Sequence, residues 1–457
     1  MTVRTPIPRR EFLRRTSLGV GAALFASTGC ASAPKRSKGR RPNIVFIIAD
    51  DLGWADIGYH DSEIKTPHLD RLVKQSVRFD RHYVMPTCTP TRIGLMAGRY
   101  PSRFGVTSPA YGKIFDDDTV TLPAALRTVG YHTAIAGKWH MGSPPDYTPT
   151  KYGFDTSYGY FHGQIDPYTH HYKTGVRSWH RNDQFLEEKG HATDLITAEA
   201  VRLIESKPDK PFFLYVAYSV PHYPLNEPEK WTAMYAGLEP VSRRWYAASV
   251  THMDAGIGQI LEAVKRSGRA EDTLVVFVSD NGGQQSWRSK DQYHGRYTDR
   301  PHTVLGNNRP LRGWKGDLYE GGIRVPALAC WPGMLRPGKV NSPVHIVDWM
   351  PTLCNLVGYH PDRNPVWDGR DVWPEIAGQT TLAQPRTLYW KTPGGAALRQ
   401  GPWKLIALKN KSPQLFHLDR DPYETNDLAE RDRRRVDELN QLLKRIAQLD
   451  RARTGGT

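Results

Sequence analysis

Fully apolar segments of strand length alternate along the chain with segments in which apolar residues recur at helical spacing. The first strand is predicted at NIVFIIA, residues 43–49, and an amphipathic helix is predicted at residues 66–79. The same alternation of helix and strand returns at residues 121–137, 192–219 and 245–280. Apolar strands that alternate with helices predict an α/β fold, in which helices cover both faces of a mostly parallel sheet.

The pattern changes past about residue 370. AALRQGPWKLIAL and QLFHLD are typical of short antiparallel strands, and residues 431–449 predict a final amphipathic helix. We therefore expect a main domain over residues 43–370 and a smaller C-terminal α+β subdomain over residues 371–457.

Residues 1–33 are typical of an export signal, because a basic segment precedes an apolar stretch too short to span a bilayer. RREFL, residues 9–13, resembles the twin-arginine pattern. It predicts the twin-arginine export machinery as a partner and a periplasmic or extracellular location. Cys30 is a candidate attachment site for a lipid, which would make the protein a membrane-anchored lipoprotein; a soluble exported protein is the alternative. Residues 34–42 are predicted to be a linker.

Most of the positive charge lies in this leader. The formal net charge is +15, but residues 1–41 carry ten Lys and Arg against one acid, Glu11. That +9 leaves +6 for residues 42–457, which contain no nucleic-acid-binding motif. We therefore predict no nucleic-acid partner, and the modest positive charge is compatible with anionic substrates.

The chain contains only four cysteines, which excludes a disulfide framework once Cys30 is set aside. Cys330 and Cys354 either pair after export or are small buried hydrophobic residues, and we expect the second. Cys88 lies two residues before Pro90, which suits the first turn of a helix, where backbone N–H groups favour anions. A nucleophilic thiolate and a buried inert residue both fit that position. A zinc ligand does not, because no other cysteine has ligand spacing.

Polar residues directly follow four of the predicted strands. The carboxyl ends of parallel strands share one edge of a sheet, and ligands bind there in open α/β folds. The candidates at these ends are Asp50 and Asp51, Lys138 and His140, His222, and Asp280 and Asn281. We expect their side chains to converge on one pocket.

The acidic candidates predict a cation site. Asp50-Asp51 alone is more typical of a strand-end turn or a helix cap, but Asp280-Asn281 stands at an equivalent strand end. Adjacent buried carboxylates repel each other unless a cation lies beside them. The set of ligand atoms is all oxygen, which fits calcium or magnesium better than zinc.

The basic candidates predict the transfer of an anionic group. Lys138, His140 and His222 each have an ordinary structural alternative when considered alone. Beside a cation they would stabilise negative charge and protonate a leaving oxygen. Lys315, in LRGWKGDLYEGG, is a further candidate.

Together, these motifs closely resemble those of the type I, formylglycine-dependent sulfatases. CTPTR, residues 88–92, matches the family signature C-x-P-x-R and is followed by Gly98-Arg99, although Ala97 stands where the family has threonine. The similarity covers most of residues 43–430. It implies a sulfuric ester hydrolase with an alkaline-phosphatase-like fold, in which helices sandwich a large mixed, mostly parallel sheet.

The resemblance also implies the roles of the site residues. In this family the signature cysteine is oxidised to Cα-formylglycine by a formylglycine-generating enzyme, and the hydrate of that residue is the nucleophile. The matching calcium (Ca2+) ligands are Asp50, Asp51, Asp280 and Asn281, with Cys88 completing the site. The matching catalytic residues are Cys88, Arg92, Lys138, His140, His222 and Lys315.

Stretches such as GKWHMG and PLRGWKGDLYEGGIR look most like the arylsulfatase B group, the N-acetylgalactosamine-4-sulfatases. That implies exo-removal of sulfate from a sulfated carbohydrate substrate. Two other hypotheses remain open: a formylglycine-dependent phosphonate or phosphate ester hydrolase of the same superfamily, and an inactive protein that binds sulfated glycans. Loop residues that could line the pocket, or have structural roles, are His170, His171, Trp179 and His302.

Overall fold

The computed structural model describes residues 41–173, 175–206, 209–287, 293, 297, 303–361, 366–379 and 386–451. The predicted export signal with Cys30, nearly all of the predicted linker, and the candidate pocket residue His302 lie outside these described residues. The described residues belong to one compact unit. Among them, no helix has both the length and the apolar character that are needed to cross a membrane.

The structure alternates strands and helices through most of the chain. In chain order the strands are β1 (Asn43–Ala49), β2 (Val77–Phe79), β3 (His82–Tyr83), β4 (His132–Lys138), β5 (Thr156–Tyr160), β6 (His171–Tyr172), β7 (Val176–Arg177), β8 (Trp179–Arg181), β9 (Gln184–Phe185), β10 (Phe212–Ala217), β11 (Thr273–Ser279), β12 (Arg324–Val325), β13 (Ala327–Cys330), β14 (Gly338–Val340), β15 (Val344–His345), β16 (Thr387–Thr392), β17 (Gly395–Gln400), β18 (Trp403–Leu408) and β19 (Gln414–His417). The α-helices are α1 (Pro67–Val73), α2 (Cys88–Ala97), α3 (Leu122–Thr128), α4 (Ala192–Glu205), α5 (Glu229–Thr232), α6 (Val241–Arg266), α7 (Glu320–Ile323), α8 (Trp349–Val357), α9 (Trp373–Ile376) and α10 (Arg433–Ala447). Short 3-10 helices lie at Gly58–His60, Pro101–Phe104, Pro149–Tyr152, Ala233–Tyr235, Ala270–Asp272 and Ile346–Asp348.

The main sheet is large, mixed and mostly parallel, as predicted. Within the described residues it has ten strands, in the order β14-β2-β13-β11-β1-β10-β4-β5-β8-β9. The central strands β11, β1, β10, β4 and β5 are all parallel, whereas β13 and β8 run antiparallel to their neighbours. The parallel centre therefore brings the carboxyl ends of several strands to one edge.

Strand β1 is buried on both faces, which explains its unbroken apolar sequence. Its adjacent residues Phe46 and Ile47 enter different apolar clusters. The cluster of Phe46 contains side chains of α2 and α8, and the cluster of Ile47 contains side chains of α4 and α6. Helices thus cover both faces of the sheet, in agreement with the predicted fold class.

The helix predicted at residues 66–79 is shorter than expected, so that part of the prediction was wrong. Helix α1 ends at Val73, and Val77–Phe79 form strand β2 instead. Val77 pairs with Ala329 of β13 in the main sheet. Val and Phe favour strands, and this pairing with a segment distant in sequence overrides the local helical spacing.

The C-terminal subdomain has the predicted α+β form. Strands β16 to β19 form an antiparallel sheet, against which α10 packs. Its buried Lys404 contacts Glu320 Oε1 at 2.9 Å and Glu424 Oε1 at 2.8 Å. Because Glu320 belongs to the segment that also contains Lys315, this ion cluster links the subdomain to a candidate site residue.

Cys330 and Cys354 are both buried free thiols. The first lies in β13 and the second in α8, and each belongs to one of the two apolar clusters. The expectation that they are small buried hydrophobic residues is therefore confirmed.

Candidate functional site

The carboxyl ends of the central strands lie side by side. Ala49 at the end of β1 pairs with Ser279 of β11, while Ile48 pairs with Ala217 of β10. Ala217 in turn pairs with Gly137 of β4. The candidate residues that follow these positions are therefore brought to the same edge of the sheet, as the parallel topology requires.

Four buried polar residues form the acidic part of the site. The backbone N–H of Asp51 donates to Asp280 Oδ1 at 3.2 Å, and Asn281 Nδ2 donates to Asp51 Oδ1 at 2.8 Å. Asp51 has a φ of 69°, which turns the chain sharply after β1. Asp50 Oδ1 and Asn281 Oδ1 are buried without a hydrogen-bond partner. Buried oxygens without donors are costly, and a cation would satisfy both.

The donor set fits a hard cation. One ligand atom each from Asp50, Cys88 and Asp280 lie within 4.8 Å of one another, and the same holds for Asp50, Asp51 and His222. Carboxylate and amide oxygens predominate, which suits calcium or magnesium. The residues present thus fit the cation that the sequence predicted at this place.

Burial and neighbouring charges shift the pKa values of the two adjacent carboxyl groups in opposite directions. Burial raises the pKa of Asp50 to about 8, with Lys138 opposing and Asp280 and Asp51 reinforcing that shift. Burial would also raise the pKa of Asp51, but Lys315 and His222 lower it to about 2. Without a cation, Asp50 is therefore the weaker acid of the two carboxyl groups.

Arg92 fixes the orientation of Asp280 from helix α2. Its guanidinium is fully buried, and Nη2 donates to Asp280 Oδ2 at 2.7 Å. Nη1 donates to the Lys138 carbonyl and to the Tyr215 hydroxyl, each at 3.2 Å. The planar guanidinium thereby joins α2 to three strand ends, β4, β10 and β11, which a lysine's single ammonium group could not do in the same way.

Two lysines bring positive charge to the aspartates. Lys138 Nζ contacts Asp50 Oδ2 at 2.5 Å and is fully buried. Lys315 Nζ contacts Asp51 Oδ1 at 2.6 Å and is partly exposed. The Lys315 backbone N–H also donates to the Gly283 carbonyl, which ties its segment to the end of β11.

His140 is a buried imidazole with unsatisfied nitrogens. Neither Nδ1 nor Nε2 has a hydrogen-bond partner, and burial together with the charges of Lys138 and Arg92 lowers its pKa well below the ordinary value. The residue has a φ of 57°, and Gly163 allows the ring to approach the neighbouring backbone closely. A neutral, unpaired imidazole can accept a proton.

His222 faces Asp51 from the segment that follows β10. Its Nδ1 lies 2.5 Å from the Tyr223 carbonyl, so Nδ1–H donates and Nε2 is directed toward Asp51 Oδ2 at 3.7 Å. Burial and Lys315 lower the pKa of His222 well below its ordinary value. The ring is therefore held in one tautomer by a backbone carbonyl.

Cys88 lies at the first position of α2, as expected from Pro90. The thiol is buried, and burial raises its pKa although Lys138 and Lys315 oppose that shift. A raised pKa counts against the nucleophilic-thiolate alternative, because the thiolate is the reactive form of cysteine.

Some of the loop residues that were expected to line the pocket have structural roles instead. His170 and Trp179 are both buried and stack on each other with ring centroids 4.6 Å apart, so they serve packing and are not available to a ligand. His171 is half-buried, and its Nδ1 contacts the Thr169 carbonyl at 2.7 Å.

Sequence reasoning missed the aromatic residues that lie next to the catalytic candidates. The Tyr111 ring centroid is 5.5 Å from that of His140, and the Tyr223 centroid is 4.3 Å from that of His222. Trp287 stacks on Tyr223 at 4.4 Å. These residues lie outside the helices and strands. Their aromatic character was the only feature of the sequence that could have indicated a place in the site.

Ammonium and imidazole groups around buried carboxylates fit an enzyme that transfers an anionic group. A sulfatase family model matches residues 42–359. Mouse (Mus musculus) arylsulfatase J is 33% identical over 477 residues, covering 90% of this chain and 76% of that protein. The N-acetylgalactosamine-6-sulfatase of Canis lupus familiaris is 30% identical, covering 88% and 84%. The crystal structure of Ps i-CgsB in complex with k-i-k-neocarrahexaose has a TM-score of 0.82 at 30% identity, covering 91% and 94%. The chain belongs to the sulfatase family and is a sulfuric ester hydrolase.

Replacing Gly163 with alanine tests the placement of His140. A Cβ at residue 163 would lie 2.5 Å from His140 Nε2, so the imidazole must move. If His140 takes part in the reaction, we expect kcat/KM for 4-nitrophenyl sulfate to fall by about 100-fold in Gly163→Ala, because misplacing a catalytic group by about 1 Å has that cost. Gly237→Ala is the control, since nothing lies within 4 Å of its added Cβ. Equal rates for the two variants would contradict the role of His140.

Proposed function

We propose that the protein hydrolyses sulfate esters of sulfated carbohydrates, acting as an exo-sulfatase on N-acetylgalactosamine-4-sulfate or a similar sugar. The observation that carries this proposal is the buried aspartate cluster with Lys138 and Lys315 in contact with it. Relatives named N-acetylgalactosamine-6-sulfatase and a solved relative in complex with k-i-k-neocarrahexaose support a sulfated sugar as substrate. The 4-position of the sulfate is proposed because the sequence motifs resemble those of the arylsulfatase B group.

The nucleophile proposed is Cα-formylglycine, formed from Cys88 by a formylglycine-generating enzyme. The C-x-P-x-R signature and a buried thiol of raised pKa support a cysteine that is a precursor and not itself the nucleophile. As its hydrate, this residue supplies an oxygen nucleophile beside the cation site. Arg92 keeps Asp280 oriented toward residue 88, so Asp280 is placed to align or deprotonate that nucleophile.

The cation proposed is calcium, held by Asp50, Asp51, Asp280, Asn281 and residue 88. When bound, it supplies a fixed positive charge for the oxygens of the sulfate group. The two oxygens without partners, Asp50 Oδ1 and Asn281 Oδ1, support this assignment.

The chain's own residues then bind the substrate and move protons. Lys138 and Lys315 are placed to bind sulfate oxygens by charge-assisted hydrogen bonds. Lys315 contacts the Asp51 carboxylate and is placed to protonate the departing sugar oxygen. His222 also faces Asp51 through Nε2, and it would assist Lys315 once that nitrogen carries a proton. His140, with both nitrogens unpaired, is placed to accept a proton from residue 88 when the nucleophile is regenerated.

A panel of esters tests the proposed substrate. We expect sulfate release from N-acetylgalactosamine-4-sulfate with a kcat/KM roughly 100-fold above that for the 6-sulfate, because a site built to bind one arrangement of hydroxyl groups rejects another. Ion chromatography of released sulfate measures both rates.

A preference for the 6-sulfate would overturn the 4-position. Faster hydrolysis of 4-nitrophenyl phosphate than of the sulfate would favour the phosphate or phosphonate ester hydrolase. Sugar binding without any sulfate release would favour the inactive glycan-binding protein.

The residue at position 88 is tested by mass and by substitution. In protein from its own host, we expect the tryptic peptide containing residue 88 to be about 18 Da lighter than its cysteine form, the thiol-to-aldehyde change. Cys88→Ala should remain folded and lose all turnover. Cys354→Ala, which removes a buried thiol from α8, should keep its activity and serves as the control. Active protein with unmodified cysteine at position 88 would refute the proposed nucleophile.

Removal and return of the metal test the calcium assignment. Treatment with a chelator should abolish sulfate release, and calcium chloride should restore it. Asn281→Ala should raise the calcium concentration needed for half-maximal activity by roughly 10- to 100-fold, since it removes one ligand oxygen. Asn426→Ala, on the exposed surface, should need no more calcium than the unaltered protein. Full activity after exhaustive chelation would exclude a catalytic cation.

A further inference from the structure

The candidate active site combines completely buried charged residues with an exposed aromatic neighbour. Asp50, Lys138 and Asp280 are completely buried, whereas Tyr111 beside His140 is 39% exposed. A sulfate group must reach the buried residues, because these residues carry the charges that bind it. The sugar that carries the sulfate must then extend from these buried residues toward solvent, and Tyr111 is an exposed residue that lies beside His140.

Tyr111 is held in a defined orientation. Its ring centroid lies 5.5 Å from that of His140 and 5.9 Å from that of His162. Its hydroxyl interacts with the backbone of Gly163 and with the side chain of Tyr172. Contacts at both the ring and the hydroxyl restrict rotation of the side chain, so little conformational entropy remains to be lost when a ligand packs against it.

The residues behind Tyr111 form a rigid aromatic support. His162 stacks on Tyr172 with centroids 4.5 Å apart and an interplanar angle of 7°. His162 Nδ1 also contacts Ser178 Oγ at 2.8 Å, which anchors the pair to the neighbouring backbone. A ligand that contacts Tyr111 therefore meets a fixed surface.

We propose that Tyr111 is a substrate-binding residue whose ring packs against the C–H face of the pyranose that carries the sulfate. A pyranose with galacto configuration presents several C–H groups on one face and hydroxyl groups at its edge. The ring of Tyr111 offers an apolar face that matches this side of the sugar, while its hydroxyl interacts with Gly163 and Tyr172. The inference rests on the proposed function, and it goes beyond it by assigning the residue that positions the sugar ring.

Tyr111→Ala and Tyr111→Phe, compared on two substrates, test this assignment. For the sulfated sugar, we expect KM to rise about 5- to 10-fold more in Tyr111→Ala than it does for trifluoroethyl sulfate, which has no ring. Tyr111→Phe keeps the ring face and should recover most of the affinity for the sugar. Tyr168→Ala is the matched control, because Tyr168 is also 39% exposed but contacts His191 and not His140.

A binding measurement separates failure of this inference from failure of the proposed function. Calorimetric titration of the sulfated sugar into Cys88→Ala should give a Kd that rises about 5- to 10-fold when Tyr111→Ala is added, even if no variant hydrolyses the sugar. An unchanged Kd and KM in Tyr111→Ala would overturn the role of Tyr111 while leaving the sulfatase proposal intact. If Cys88→Ala does not bind the sugar and the unaltered protein does not hydrolyse it, both proposals are overturned.

Discussion

The constraint on which the structure depends is the burial of three aspartates, Asp50, Asp51 and Asp280, at the ends of neighbouring parallel strands. Burial of like charges so close together is costly unless positive groups compensate it. Lys138, Lys315 and Arg92 provide that compensation from β4, from the segment before α7 and from α2. The positions of these elements are therefore coupled through electrostatics as well as through packing.

The C-terminal subdomain contributes to this balance without entering the site. Lys404 in β18 lies between Glu320 and Glu424, and all three side chains are buried. The Glu424 carboxylate also accepts the Glu320 backbone N–H at 2.7 Å. Removing one partner from such a buried cluster would leave an uncompensated charge. The segment that bears Lys315 is thus held from one side by the end of β11 and from the other by the subdomain.

The site separates two tasks in space. The charged residues that would bind a sulfate group are buried and belong to strand ends or to the start of a helix, which gives them rigid positions. The aromatic residues around them, including Tyr111 and Tyr223, lie in connecting segments. Loops tolerate variation better than strands do, so the same charged centre can be combined with different outer surfaces. Under the proposed function, the charged centre binds the sulfate group, and the choice of the sugar falls to the outer residues.

The sequence alone determined the elements with strong local signals. Strand β1 coincides with the predicted residues 43–49, because a strand buried on both faces is apolar throughout. The polar residues after the parallel strands could also be recognised, since topology brings strand ends together.

Tertiary structure decided the rest. Val77–Phe79 became a strand only by pairing with β13, and Tyr111 reached His140 only through the path of its loop. Short strands and loop contacts carry no periodic signal, because their partners lie far away in the sequence.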